Sequence, residues 1–284
     1  MNPILLTPIL KNYIWGGTRL KTEYGFISDE DKVAEAWMLS SHKDGRNIDG
    51  EMPILVKLID ARDKLSVQVH PNDEYAYRVE GEPGKTEMWY IVDCEEGARL
   101  IYGFKKELSK EEFERRIRDN TLDEVMNYVP VHRGDVFFIP SGTLHAIGAG
   151  ILIAEIQQSS NTTYRVSDYG RLGADGKPRQ LHVEKALDVT ETVPPTVPYG
   201  QVGEITEYSF GKVRMLTECL YFSVYEIDLD GNFETTPTNF LHFLVIDGEI
   251  TVGNVKATKG GSIYVPKDCK IAVNGKAKFL VSTV

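Results

Sequence analysis

Short β-favouring runs bounded by Gly, Pro, Asp or Asn recur along almost the whole chain, and that recurrence leaves few folds open. MPILVKLID, LSVQVHP, EMWYIVD, DVFFIP, GILIAEIQQ, RMLTECLYFSVYEID, FLHFLVIDGEITVG and SIYVP each have strand length and turn flanks. Such spacing implies a sandwich or barrel. One sustained helical pattern interrupts the series at about 107–128, where Ser109 and Glu112 form a capping-box pair ahead of KEEFERRIRDNTLDEVMNYV. The proline-bearing TETVPPTVPYG at 190–200 lacks periodicity and divides the chain into domains of 1–190 and 200–284. A repeat supports the division: GDVFFIP at 134–140 and GGSIYVP at 260–266 share a glycine, five intervening residues and a proline. Only the first copy runs on into a histidine.

A chain of 284 residues buries roughly three quarters of its unfolded surface, enough for one large core or two modest ones. The three cysteines, Cys94, Cys219 and Cys269, are odd in number and show no CxxC spacing, so neither a disulfide framework nor a thiolate knuckle is expected. The opening residues do not read as a secretion signal, and no apolar stretch has membrane-spanning length, so a cytoplasmic protein without membrane contact is expected. The net charge of −10 and pI of about 5.2 repel nucleic acid. An anionic small molecule remains open, provided Lys and Arg cluster locally. Monomer and homodimer both remain open.

Ser66, Gln68 and His70 alternate with Leu65, Val67 and Val69, which puts polar groups on one strand face and apolar ones on the other. A face turned to bulk water would read the same, so alternation alone does not decide. Glu87 shares parity with Lys85, Trp89 and Ile91 in KTEMWYIVD; burying that carboxylate beside apolar neighbours requires a partner or a metal. His145 follows Pro140, Gly142 and a tight turn. Two imidazoles, a carboxylate and an amide oxygen form an N2O2 set suited to a divalent ion such as zinc, with manganese and iron as alternatives. Further along, AEIQQSSNTTYRVSDYGR begins as a strand and turns densely polar. Lys85, Arg165 and Arg171 are the cations available to an anionic sugar, unless the arginines only pair with Asp168 or Asp175. Among the other histidines, His182 stands nearest this polar stretch. Tyr13 and Trp15 read as core or rim residues.

These segments carry a resemblance. GDVFFIPSGTLH, from Gly134 to His145, resembles the second cupin motif, and QVHP with Glu87 resembles a variant of the first in which glutamine replaces the leading histidine. More narrowly, YIWGG at 13–17, AEAWMLSSH at 34–42, LSVQVHP, KTEMWYI, PSGTLHAIGAG and EIQQSSNTTYRVSDYGR together are similar to short bacterial type I mannose-6-phosphate isomerases. The resemblance implies a mostly β fold of two cupin-like jelly-roll domains, the first with a short helical insertion and the second degenerate and metal-less. It implies one Zn2+ per chain on Gln68, His70, Glu87 and His145, and isomerisation of mannose 6-phosphate to fructose 6-phosphate through an enediolate. Ser66, Lys85, Arg165 and Arg171 fall where the family contacts substrate, and Arg165, Lys85 and Glu155 are the expected catalytic residues. The proton carrier stays open among Glu155, a metal-bound water and His182, because Pro83-Gly84-Lys85 and Ser160-Asn161-Thr162 depart from the long enzymes' pattern. Other cupin chemistry (glucose 6-phosphate isomerisation, epimerisation, dioxygenation) and non-catalytic sugar-phosphate binding remain as alternatives.

Overall fold

Two sheets in the first half meet face to face, and the alternation of their strands determines which side chains meet. The computed structural model describes residues 2–173 and 176–284. Among the described residues, every pairing within the three sheets is antiparallel. The six-stranded sheet runs Ile9–Lys11, Glu35–Leu39, Ile54–Ala61, Ile151–Gln158, Glu87–Cys94, Val136–Ile139. The five-stranded sheet runs Tyr164–Ser167, Val67–Val69, His145–Ala146, Arg99–Phe104, Met126–Pro130.

Ile59, Trp89, Ile91, Ile151 and Ile153 of the six-stranded sheet pack on Leu100, Tyr102 and Val129 of the five-stranded one. The opposite face of the six-stranded sheet, with Met38, Val56, Met88, Leu152 and Ile156, packs on Val224, Leu244, Ile246 and Leu280 of the C-terminal sheet. A middle sheet covered on both faces buries its strands along their whole lengths, as in Ile54–Ala61 and Ile151–Gln158, so that Lys57, Asp60, Glu155, Gln157 and Gln158 are buried along with their apolar neighbours. Helices Lys110–Arg118 and Val183–Val189 cover the outer face of the five-stranded sheet through Phe113 and Ala186. The protein is therefore a mostly β, two-domain stack with a small helical insertion.

Three features differ from the sequence expectation. The helix predicted over 107–128 occupies only Lys110–Arg118, capped as expected by Ser109 Oγ accepting from Glu112 N–H at 3.1 Å. It stops where Asn120 turns left-handed (φ 55°), and after a short 3-10 turn at Leu122–Glu124, Met126–Pro130 joins the sheet beside Arg99–Phe104. The β-favouring Tyr128 and Val129 find a cross-strand partner that a local helical pattern cannot reveal. The helices Asp73–Val79 and Val183–Val189 were not anticipated; each is only two turns long, too short for a periodicity signal. Finally, Ile4–Leu5 pair with Ser262–Val265 at the edge of the eight-stranded C-terminal sheet rather than with the half they precede.

The repeated glycine-strand-proline unit is present in both halves: Gly134 (φ 86°) leads into Val136–Ile139 and Gly260 (φ 80°) into Ser262–Val265. In the second copy Ser262 bridges the layers, its Oγ donating to Met38 O at 2.7 Å and lying 2.8 Å from His242 Nε2. Burial holds the His242 imidazole neutral, with its pKa down at about 3 against an ordinary 6.5. The unfolded chain takes up this proton and the folded chain does not. Its contribution to stability is therefore intact above about pH 6.5 and is lost as pH falls toward 3. The loss at pH 5 amounts to about 2 kcal/mol. His242→Gln is expected to reduce the drop in thermal midpoint between pH 7 and pH 5 accordingly; equal drops in variant and wild type would refute this account.

Candidate metal and substrate site

Alternation turns the sequence-predicted ligands into the space between the two sheets. Val67 and Val69 pack outward beneath the helices, so Ser66, Gln68 and His70 point inward. Across the ladder Gln68 is paired on one side with His145 and on the other with Arg165. From the facing sheet, Glu87 and Trp89 project inward beside Gln157 and Glu155 of the neighbouring strand. The PSGTLH turn reverses at Gly142 (φ 87°), whose N–H donates to His70 O at 2.8 Å and so ties the two histidine-bearing segments together. A side chain there would meet both an unfavourable φ and Glu191 Cγ at 3.0 Å.

His70, Glu87 and His145 are buried, with one potential ligand atom from each lying within 4.8 Å of the others. His70 Nδ1 is 2.9 Å from Thr162 O and His145 Nδ1 is 2.8 Å from Thr143 O. A carbonyl accepts only from a protonated Nδ1, so each ring presents an unprotonated Nε2 toward Glu87, at 3.5 Å and 3.3 Å. Burial, reinforced by Lys85, holds the His70 imidazole well below its usual range, and burial brings His145 down to about 3. Both are therefore neutral ligands at physiological pH. Burial pushes the Glu87 carboxyl up against the pull of Lys85, and neither Glu87 oxygen has a hydrogen-bond partner of good geometry. The donor set draws positive charge: Lys85 Nζ lies 2.7 Å from Glu87 Oε2 and 3.1 Å from His70 Nε2. Two lone pairs and a buried carboxylate whose Oε1 has no hydrogen-bond partner fit a divalent ion, with the Gln68 amide, 3.3 Å from His145 Nε2, beside them.

Directly in front of this cluster opens a cavity of about 280 Å³, on which Gln68, Lys85 and Glu155 all border. One row of the middle sheet sets its charge. Trp37, Lys57, Glu155 and Trp89 stand opposite one another across four strands. Lys57 Nζ is 3.1 Å from Glu155 Oε1 and 3.8 Å from Glu35 Oε2, while each carboxylate accepts an indole N–H, from Trp89 at 2.8 Å and from Trp37 at 2.7 Å. Burial alone would raise the Glu155 carboxyl, but Lys57 and Lys85 overcome it and bring the pKa to about 2. Glu155 is thus ionised, with Oε2 fixed by Trp89. The same two carboxylates hold Lys57 above its ordinary range despite its burial.

At the mouth, Arg165 Nε reaches Ser66 Oγ at 3.3 Å and Nη1 reaches Gln180 O at 2.9 Å. His182 sits behind it, outside the cavity, with Nδ1 accepting from Arg165 N–H at 3.1 Å. Arg171 does not border the cavity either; it pairs with Asp168 and donates to Lys64 O. Asp175 lies outside the described residues. Lys57, Glu35, Tyr13, Trp15 and Arg179 do border the cavity, and the sequence reading assigned none of them to it. Tyr13 and Trp15 stack at 5.4 Å between ring centroids, and burial together with Glu35 pushes the Tyr13 hydroxyl up to about 12. For Lys57 and Glu35 a usable signal existed: each shares parity with the inward residues of its strand. Arg179 carried none.

Comparison with known proteins points to one family. Residues 43–96 match the family described as phosphomannose isomerase type I, catalytic domain, and residues 212–284 the mannose-6-phosphate isomerase cupin domain. The chain is 39% identical to mannose-6-phosphate isomerase ManA of Bacillus subtilis, over 87% of this chain and 86% of the relative. It is 36% identical to the mannose-6-phosphate isomerase of Streptococcus mutans, over 94% and 93%. The crystal structure of the mannose 6-phosphate isomerase from Bacillus subtilis superposes with a TM-score of 0.91 at 32% identity, covering 100% of both chains.

Proposed function

This chain belongs to the family of type I mannose-6-phosphate isomerases, and on that premise we propose that it interconverts mannose 6-phosphate and fructose 6-phosphate. The observation that carries the reading is the cavity itself. In a protein of net charge −10 it is bordered by Lys57, Lys85, Arg165 and Arg179 against Glu35 and Glu155, a local excess of positive charge beside a buried metal-ligand cluster. Gln68, His70, Glu87 and His145 would hold the ion, zinc by the chemistry of the donors, which would supply Lewis acidity toward a sugar oxygen.

The residues of the chain account for the rest. Aldose–ketose isomerisation moves one proton between C2 and C1 through an enediolate. Glu155, ionised and pinned by Trp89, is placed to carry that proton. It is a weak base. However, Lys57 and Lys85, which make it weak, also border the cavity where negative charge develops on the substrate oxygens. Ser66 and Arg165 bind and orient the sugar at the mouth, and Trp15 with Ile59 and Leu65 keeps one wall apolar. The proposal extends to a jelly-roll reading of both halves, domains of 1–190 and 200–284 apart from the Ile4–Leu5 strand, and a reducing cytoplasmic setting that suits the free thiols of Cys94, Cys219 and Cys269. Zinc-reconstituted protein of measured metal content should convert mannose 6-phosphate to fructose 6-phosphate, lose the activity to chelator and regain it with zinc. Full occupancy without turnover would reject the proposal.

A further inference from the structure

The proline-bearing segment at 190–200 is held as a strap along the first half. Pro194, Pro195 and Pro198 fix their own φ and keep the residues before them extended, which makes the connection stiff. Glu191 N–H donates to Gly142 O at 2.9 Å, in the turn that leads to His145, and Thr192 Oγ1 donates to Leu108 O at 2.7 Å. Pro195 then lies so close on Gly103 (φ 66°) that a Cβ there would stand 2.4 Å from its Cγ. Gly200 exchanges both backbone hydrogen bonds with Val136, at 2.8 and 3.0 Å, and Gln201 donates to Asp135 Oδ1 at 2.8 Å. Arg214 of the C-terminal sheet closes the tie by donating to Gln201 Oε1 and to Gly134 O, each at 3.2 Å.

Between those anchors Tyr199 lays its ring against two fully buried residues. It stacks on Phe137, with centroids 5.3 Å and planes 15° apart, and meets Tyr102 edge-on at 5.5 Å; Tyr102 and Phe137 meet each other at 5.7 Å. Register makes each of these two the direct cross-strand neighbour of a site residue: Tyr102 stands opposite His145, and Phe137 opposite Trp89, whose indole fixes Glu155. The two rows touch again one step further in, where Trp89 meets the His145 ring edge-on at 5.3 Å. Tyr199 is therefore the outer member of a pack of rings whose inner members are a metal ligand and the clamp on Glu155. Interiors this dense have little slack, so a gap left by the outer ring is relieved by movement of the rings behind it.

We propose that Tyr199 is a positioning residue for the metal centre: through Tyr102 it sets the His145 imidazole, and through Phe137 and Trp89 it sets the Glu155 carboxylate. The strap, and the C-terminal sheet that anchors it through Arg214, are on this account part of the construction of the site, although none of their residues borders the cavity. The arm to Glu155 rests on the isomerase reading. The arm to His145 rests on the ligand geometry alone and is tested without turnover.

The test uses full-length, zinc-loaded Tyr199→Ala, Tyr199→Leu and Tyr199→Phe. Zinc affinity is read by titration with a competing chelator, and mannose 6-phosphate kinetics are measured at full metal occupancy. Tyr199→Ala is expected to weaken zinc binding by about 10-fold and to lower kcat by about 10-fold with KM within about threefold, the scale of losing a group that orients a ligand. Tyr199→Phe keeps the ring contacts and should stay within about twofold of wild type on every measure. Tyr199→Leu keeps apolar bulk without the ring and should fall between the two; it decides the matter if the alanine variant does not fold. Wild-type zinc affinity in the alanine and leucine variants, even with a lowered thermal midpoint, would reduce Tyr199 to a packing residue and overturn the assignment, as would equal losses in Tyr199→Phe. Weakened zinc binding with wild-type kcat at full occupancy would overturn the arm through Phe137 and Trp89. The expected order of zinc affinities in a protein that turns over no mannose 6-phosphate would uphold the positioning of His145 and reject the isomerase reading instead.

Discussion

Glu87→Gln is expected to leave a folded protein that no longer retains its metal and has lost on the order of 10³-fold or more in kcat/KM. Loss of a residue that merely orients a metal ligand typically costs 10- to 100-fold in affinity or activity, so loss of the only anionic ligand should cost more. Glutamine preserves the volume and one oxygen. It removes the charge that two buried neutral imidazoles cannot replace. It also strands Lys85, whose ammonium is buried and whose close carboxylate partner is Glu87 at 2.7 Å, so the metal-free variant should be less stable than metal-free wild type. Two measurements check this: metal per chain after gel filtration, and the rise in thermal midpoint on adding zinc, which should be large in wild type and nearly absent in the variant. A variant that keeps one metal per chain and wild-type kinetics would remove Glu87 from the ligand set.

Arg165→Ala carries the second-largest effect, a fall in kcat/KM of about 10²-fold, or about 2.7 kcal/mol, the scale of one lost oxyanion donor. Its fold cost should be small. The groups it abandons, Ser66 Oγ and Gln180 O, border or adjoin an open cavity where water can replace a guanidinium. Metal content should also survive, because Arg165 touches none of His70, Glu87 or His145. How the loss divides between kcat and KM locates the contact: a fall in kcat means Arg165 acts on charge developing on the oxygens of the reacting carbons, and a rise in KM means it binds the sugar phosphate equally in ground and transition states. Wild-type kinetics in a metal-replete variant would exclude Arg165 from the site.

These two residues also show how far the chain could be read without coordinates. Glu87 announced itself, since a carboxylate at the parity of Trp89 and Ile91 on a strand needs a reason to be inside. Arg165 could be read only as one of several available cations, and its catalytic role came from the resemblance, because the polar SSNTT run before it reads as a loop. The structure instead returns the chain to a strand at Tyr164–Ser167, where Arg165 pairs with Gln68. Arg171 shows the reverse: the resemblance implied a substrate role for it, whereas the turn closed by its own N–H on Asp168 O directs its side chain to Lys64 O.

What the sequence determined by itself was whatever has a local period. Alternation put Ser66, Gln68 and His70 on one face, the glycine-strand-proline unit delivered His145, and Ser109 marked the start of a helix, because each depends on backbone geometry within a few residues. What only the tertiary structure decided was everything set by register between distant strands or by the reach of a loop. Lys57 stands opposite Glu155 across nearly a hundred residues of chain, Ile4–Leu5 close the far sheet, and Arg179 enters the cavity from a loop whose sequence has no period at all. Register is chosen by burying whole faces at once, here with the middle sheet covered on both sides. That choice is a property of the packed chain, which no single segment encodes.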